Sequence, residues 1–233
     1  MIGKLLRLAC FGLVIATAQQ SQAGICPLWY NGDPDLVNGL ANELNSLTSD
    51  ALVYEDFIVT PNCSIICAVY SNNFMSFTAT TAAWEIRTGV GPGTGGTLVA
   101  SGTGAATQTL NGFDNPLLTA TIGYTIMVSG LNVALTPGTY WLSVAPIGEG
   151  FGRSFVQSTS GANAFGAPIQ NNNAIFNSSQ FGGYSWAPAD LGFGLPLNYS
   201  MGVYAVPEPS SLVILGIGGG LLGLNLVRRR RAK

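Results

Sequence analysis

The middle of the chain is written in short alternations of apolar and polar residues. In Ala82–Thr88, Ala82, Trp84 and Ile86 fall on one side, with Glu85 and Arg87 on the other. A period of two is that of a half-buried strand, and it sets Glu85 and Arg87 together on the solvent side. Tyr124–Ser129 repeats the pattern with Tyr124, Ile126 and Val128. In Leu135–Val144, Pro137-Gly138 predicts a type II turn, and the strand after it puts Tyr140, Leu142 and Val144 on one face. Ser64–Tyr70 is apolar on both sides and predicts a buried strand. Leu52–Thr60 is rich in β-formers but alternates poorly, because Glu55 and Asp56 are adjacent. Thr97–Ser101, Arg153–Thr159 and Asn198–Ala205 are further strands. Gly89–Gly96, with five glycines and a proline, is a loop, and residues 160–197 are long loops around one or two short strands. Near the start, Asn31-Gly32 and Asp33-Pro34 predict a loop around a docked Trp29 or Tyr30. Weak helical spacing appears only at Asp35–Leu47, through Leu36, Leu40, Leu44 and Leu47. Many short strands without a long amphipathic helix predict an all-β fold, an antiparallel, jelly-roll-like β-sandwich.

Both ends break this pattern. Lys4 and Arg7 precede an apolar stretch, and Ser21-Gln22-Ala23 is a small-x-small site, so residues 1–23 read as a secretory signal peptide cleaved before Gly24. At the other end stand Val206, Pro207, Glu208 and Pro209, then an apolar run Leu212–Val227, then Arg228, Arg229, Arg230 and Arg231. The prolines fix φ and keep the preceding residues extended, so the tetrapeptide predicts an exposed recognition element. With Ser210 and Ser211 the run reaches 18 residues. As a helix that is about 27 Å, just short of a hydrocarbon core of ~30 Å. Five glycines in it favour close helix packing, and the arginines act as a cytoplasmic stop. The division is therefore a signal peptide at 1–23, an exported β-sandwich at 24–205 and a sorting signal at 206–233.

This tail resembles the PEP-CTERM sorting signal of Gram-negative bacterial surface proteins, with motif, helix and arginine cluster together at the C-terminus. The resemblance implies recognition by an exosortase, a membrane transpeptidase or protease acting near Pro-Glu-Pro. It also implies delivery to the cell surface or the extracellular space, with the helix as a transient inner-membrane anchor. The segment Pro137–Val144 and Glu55-Asp56-Phe57 also resemble exported proteins of the choice-of-anchor kind, over about residues 28–205, with no functional residues to carry over.

Charge sharpens the picture. The exported part keeps Arg87 and Arg153 as its only cations, against ten acids. Nucleic-acid binding needs clustered Lys and Arg and is excluded. The chain has no histidine, and the exported part no lysine. That removes Ser-His-Asp, Cys-His and lysine-activated chemistry and the usual general base near neutral pH. Asp114, Glu149 and Asp190 are the loop acids that a glycosidase-like pair would have to draw on. Asn31, Asp33 and Asp35 have the alternate spacing of a calcium loop, but Leu36 replaces its glycine and Asn42 its closing glutamate. Neither metal nor cofactor is expected. Cys26, Cys63 and Cys67 can supply one disulfide in an oxidising compartment, with the pairing open. Trp186, in a Gly- and Ser-rich loop, is the candidate sugar contact. The expected function is a non-enzymatic, exported surface or matrix protein, structural or adhesive, associated with exopolysaccharide. The alternative is a carbohydrate-active enzyme or carbohydrate-binding module on the same sandwich.

Overall fold

The computed structural model describes residues 26–61, 65–114, 121–192, 194 and 197–206. The expected signal peptide, Cys63, and everything from Pro207 onward lie outside them. Among the described residues fourteen strands follow in order: β1 Cys26–Tyr30, β2 Pro34–Ala41, β3 Glu43–Asn45, β4 Ser49–Val59, β5 Ile65–Met75, β6 Thr81–Thr88 and β7 Thr97–Leu110. Then come β8 Ile122–Ala134, β9 Gly138–Pro146, β10 Ser154–Thr159, β11 Ile175–Ser178, β12 Ala187–Pro188, β13 Asn198–Tyr199 and β14 Met201–Val206. A single 3-10 turn covers Ala189–Gly192, and the described residues contain no α-helix.

The strands pair antiparallel along one path, β1-β14-β5-β8-β7-β6-β9-β4-β11-β12. β10 adds to β5 and carries β2 and β13, while β3 adds to β4. The sheet curls into a half-barrel because its long strands change partners along their length. Thr97–Ala105 of β7 pairs with β6, and Ala106–Leu110 with β8. Glycine makes that switch sterically possible. A Cβ on Gly104 would sit 2.8 Å from Val128, and one on Gly102 3.1 Å from Trp84. β4 does likewise, pairing Ala51–Tyr54 with β11 and Glu55–Val59 with β9.

The curl faces the two halves of the sheet across one core. Trp29 of β1 meets Phe57 of β4 at 5.9 Å between ring centroids, although the two strands lie far apart along the path. The Ser71 hydroxyl donates to the Val144 carbonyl at 2.9 Å, joining β5 to β9. Trp29, Phe57, Ile126, Leu142 and Val203 are fully buried. At about 1.5–3 kcal/mol per large apolar side chain, this shared core is what holds the curl.

The strand pattern of the sequence reappears here. Ala82, Trp84 and Ile86 are buried, and Arg87 Nε lies 2.6 Å from Glu85 Oε2 on the other face. Tyr140, Leu142 and Val144 share the core side. Three expectations change. Asp35–Leu47 is not helical: β2 and β3 occupy it, Leu36 has φ of 62°, which no right-handed helix admits, and Leu47 is exposed. Pairing of Gly39, Leu40 and Ala41 with β10 overrides the weak leucine spacing. The type II turn at Pro137-Gly138 is absent, because Gly138 already begins β9 and has no positive φ. The Tyr140 hydroxyl closes that corner instead, donating to the Thr136 carbonyl at 2.8 Å. Residues 26–30 form an edge strand rather than a loop, with Trp29 docked as expected and its ring N–H bonded to the Pro168 carbonyl at 2.8 Å.

Candidate functional site

β14 leads the chain to the predicted sorting motif. It lies between two strands: Ala205 faces Cys26 of β1 and Ile66 of β5, and Val206 faces Ile65. Met201, Val203 and Ala205 are fully buried and Val206 is half-buried. The first motif residue is therefore still held in the sheet. Pro207, next in the sequence, has no N–H to continue a ladder. On the opposite face of the strand, Tyr70 stacks on Tyr204 with centroids 5.4 Å apart and approaches Tyr30 at 5.8 Å. Tyr70 lies so close over Gly202 that a Cβ there would overlap its ring. Burial pushes the ionisation of Tyr70 far up, with Tyr204 and Tyr30 adding to it, so the Tyr70 ring carries no charge. Pro207, Glu208, Pro209 and Arg228–Arg231 lie outside the described residues.

Cys67 sits in a bulge of β5, where the register skips from Ile66 to Ala68 against β8. It is a free, half-buried thiol, and burial raises its pKa. The calcium-like spacing is spent on loop closure. Asn31 donates to the Tyr199 carbonyl at 3.2 Å, Asp33 accepts from Tyr30 at 2.8 Å and from Asn163 at 2.6 Å, and Asp35 accepts from Ser158 at 2.6 Å. No group of three metal-ligating side chains gathers among the described residues.

Trp186 belongs to a packed cluster. Its ring is 5.0 Å from Tyr54, the Arg87 guanidinium lies 5.0 Å above it, and Gly95 presses so closely that a side chain there would overlap the ring. The Tyr54 hydroxyl donates to Glu85 at 2.7 Å, so one ladder runs Trp186, Arg87, Glu85, Tyr54. Burial works against the charge of Arg87, but the bond and charge of Glu85 outweigh it and leave the guanidinium more basic than usual. Trp186 is thus half-buried, with only part of its ring toward solvent. Asp114, Glu149 and Asp190 stand on three separate segments. Asp114 accepts from the Gly123 N–H at 2.8 Å, Glu149 lies in the turn after β9, and Asp190 lies in the 3-10 turn.

The buried acids are others. Glu43 accepts from Arg153 Nε at 2.6 Å, from Ser49 at 2.6 Å and from the Ser154 N–H. Asp56 accepts both its bonds from the Asn171 amide, at 2.9 and 3.0 Å. Glu55 is fully buried on the core side of β4, in phase with Val53 and Phe57. One oxygen accepts from the Tyr199 N–H; the other, like the Tyr199 hydroxyl, has no partner among the described residues. Burial raises the Glu55 pKa well above its ordinary value, and the charge of Asp56 adds to this. The phase of Ala51, Val53, Phe57 and Val59 was the sequence signal that places Glu55 inward. A separate, mostly apolar cavity of about 270 Å³ is lined by Leu40, Phe155, Phe176, Phe181 and Tyr184, together with Arg153. No sequence signal marks it, because its walls come from β2, β10, β11 and the loop after β11.

No curated protein and no solved structure matches the chain. Comparison with protein families matches residues 205–231, which begin inside β14, and does not extend over the β domain. That match supports an exported, envelope-sorted protein processed by the membrane enzyme exosortase. The segment leaving the last strand of the half-barrel is a PEP-CTERM protein-sorting motif.

Proposed function

We propose that the half-barrel is a non-catalytic, structural or adhesive domain of the cell surface, associated with exopolysaccharide and delivered there through its C-terminal motif. The observation that carries this reading is the sorting motif directly continuing β14. The absence of histidine from the chain and of lysine from the exported part supports the non-catalytic side of it. So does the low cation content, which leaves hydrogen bonding and aromatic contact as the means of meeting a polysaccharide. In this reading the signal peptide at 1–23 starts export and Leu212–Val227 holds the protein in the inner membrane until it is processed. The arginines after that helix fix its depth, because each costs ~2.5–3.5 kcal/mol at the bilayer centre.

Glu208 is the only charge between Val206 and Ser210, held between two prolines, and it is what a membrane enzyme with a basic site would read. Glu208→Ala is expected to leave membrane insertion intact and to block processing, so that full-length, membrane-retained protein accumulates. Cell fractionation with intact mass measurement reads this. Equal cleavage and release of the variant and the wild type would reduce the tail to a plain anchor.

A further inference from the structure

The apolar cavity between β2, β10 and β11 has a defined size and chemistry. At about 270 Å³ it is smaller than the ~300–1,000 Å³ typical of drug-sized sites, and its walls are Leu40, Phe155, Phe176, Phe181 and Tyr184. Its one charged lining residue is already committed: Arg153 pairs with Glu43 at 2.6 Å and lies 4.9 Å over the Phe155 ring. A sugar ring would leave several hydroxyls unpaired there, each at a desolvation cost. The cavity suits one apolar ring.

Such a ring stands on the same end of the same chain. Phe151 is 85 % exposed, the most exposed large hydrophobic residue among those described. It lies two residues before Arg153 in the turn between β9 and β10. That turn is held in place, since the Asn45 amide donates to the carbonyls of Gly150 and Gly152 on either side of Phe151, both at 3.1 Å. Phe151 is therefore presented outward on a fixed loop, and it does not fill its own chain's cavity. Other exposed apolar side chains border the same region: Phe181, itself lining the cavity, and Leu191, two residues beyond the lining residue Ala189.

From this placement we infer that the exported domain self-associates as a two-fold dimer in which Phe151 of each copy enters the aromatic cavity of the other. A key and a lock only two residues apart on one chain let a single two-fold axis seat both pairs, so the contact closes at two copies rather than growing into a fibre. The orientation is compatible with tethering. β5 runs from Ile65, beside Val206, to Met75, beside Ser154. Its eleven residues put roughly 33 Å between the sorting motif and the Phe151 end. A membrane-held copy thus presents its cavity away from the bilayer. Two phenylalanines bury about 150–250 Å² each, so the contact falls below the ~1,200 Å² of a stable interface unless the flanking residues add to it. The dimer is accordingly weak and concentration-dependent.

Sedimentation equilibrium of residues 24–206, from about 10 μM to about 1 mM, tests this. The wild type is expected to shift from monomer to dimer with no higher species. Phe151→Asp is expected to weaken dimerisation by at least on the order of a hundredfold, since both seats are lost, with an unchanged melting temperature. Leu98→Asp, an exposed apolar residue at the other end of the strands, controls for general stickiness and is expected to dimerise like the wild type. A second cavity variant, Leu40→Trp, is expected to act like Phe151→Asp by filling the lock. Wild type that stays monomeric to 1 mM, or dimerises equally well as Phe151→Asp, overturns the inference. Monomeric wild type that binds anilinonaphthalene sulfonate, with Leu40→Trp binding none, would instead assign the cavity to a small apolar ligand.

Discussion

Glu55 shows at the scale of one residue how this fold handles charge. It points inward from β4 between Val53 and Phe57, and the two cations of the exported part are bound to other acids, Arg87 to Glu85 and Arg153 to Glu43. With no cation to pair it, burial favours the protonated form, and the nearby charge of Asp56 does the same, against the opposing bond from the Tyr199 N–H. The Tyr199 side chain adds no charge of its own, since its ionisation is raised by burial and by Glu55 and Asp190. The folded state therefore holds a proton that the unfolded chain releases in the ordinary glutamate range. The stability this contributes is complete below that range and declines as pH rises toward the folded-state value, by up to about 1.4 kcal/mol per pH unit. Glu55→Gln, neutral at every pH, is expected to flatten this decline and to melt above the wild type at pH 8 while matching it more closely at pH 4. Parallel melting curves for the two proteins across that range would show that Glu55 carries no linked proton. Cys67 gives a second test. It is a free thiol in a bulge, half-buried and less acidic than usual, so the cysteines left for a bridge are Cys26 and Cys63. Thiol titration after denaturation is expected to find one group per chain, and none in Cys67→Ser. Three groups in the wild type would mean that the exported protein folds without oxidation.

Strands were legible from sequence where one strand's own period decides burial, as in β6, where Ala82, Trp84 and Ile86 turn inward and Glu85 meets Arg87 outside. They were less legible where a strand serves two neighbours. β7 reads as short because Gly102 and Gly104 interrupt its pattern, yet those glycines are what let it pass from β6 to β8. β2 reads as weakly helical because its leucines fall at helical spacing, and only pairing with β10 decides otherwise. The cavity was not legible at all, since its walls are assembled from segments far apart in sequence. Trp186 belongs to the same class of surprise, because nothing in residues 180–188 announces that Arg87 and Gly95 will come to lie against it. The same reasoning makes Gly202 decisive for β14. A side chain there would collide with Tyr70, a ring that is itself stacked on Tyr204 and cannot easily yield. Gly202→Ala is expected to cost about 1–3 kcal/mol as an overpacked position, read as a lower urea midpoint. In a Tyr70→Ala background the same substitution is expected to cost less, because the ring it would meet is gone. An unchanged midpoint in the single variant would mean that the exit strand is not clamped.

At the scale of the whole molecule, the sorting motif and the fold share residues, and this limits where processing can cut. Ala205 and Val206 belong both to the motif match and to β14, which pairs with β1 on one side and β5 on the other. Removing β14 would strip Met201, Val203 and Ala205 from the core, leave β1 only its bridge from Tyr30 to Phe165 and expose one edge of β5. Met201 and Val203 alone are worth roughly 3–6 kcal/mol by burial, against a total stability of about 5–15 kcal/mol for a typical domain. Loss of the ladder bonds on both sides takes most of what remains. A cut that removes Met201, Val203 and Ala205 therefore unfolds the product, whereas a cut after Val206 leaves every described strand in place. A chain ended at Val206 is expected to unfold cooperatively with a clear melting transition, while one ended at Ser200 is expected to show none and to be degraded rapidly by protease. The C-terminus of the processed protein, read by intact mass, should then lie at or beyond Val206. A processed form that ends before Met201 and still melts cooperatively would show that the half-barrel does not need its exit strand.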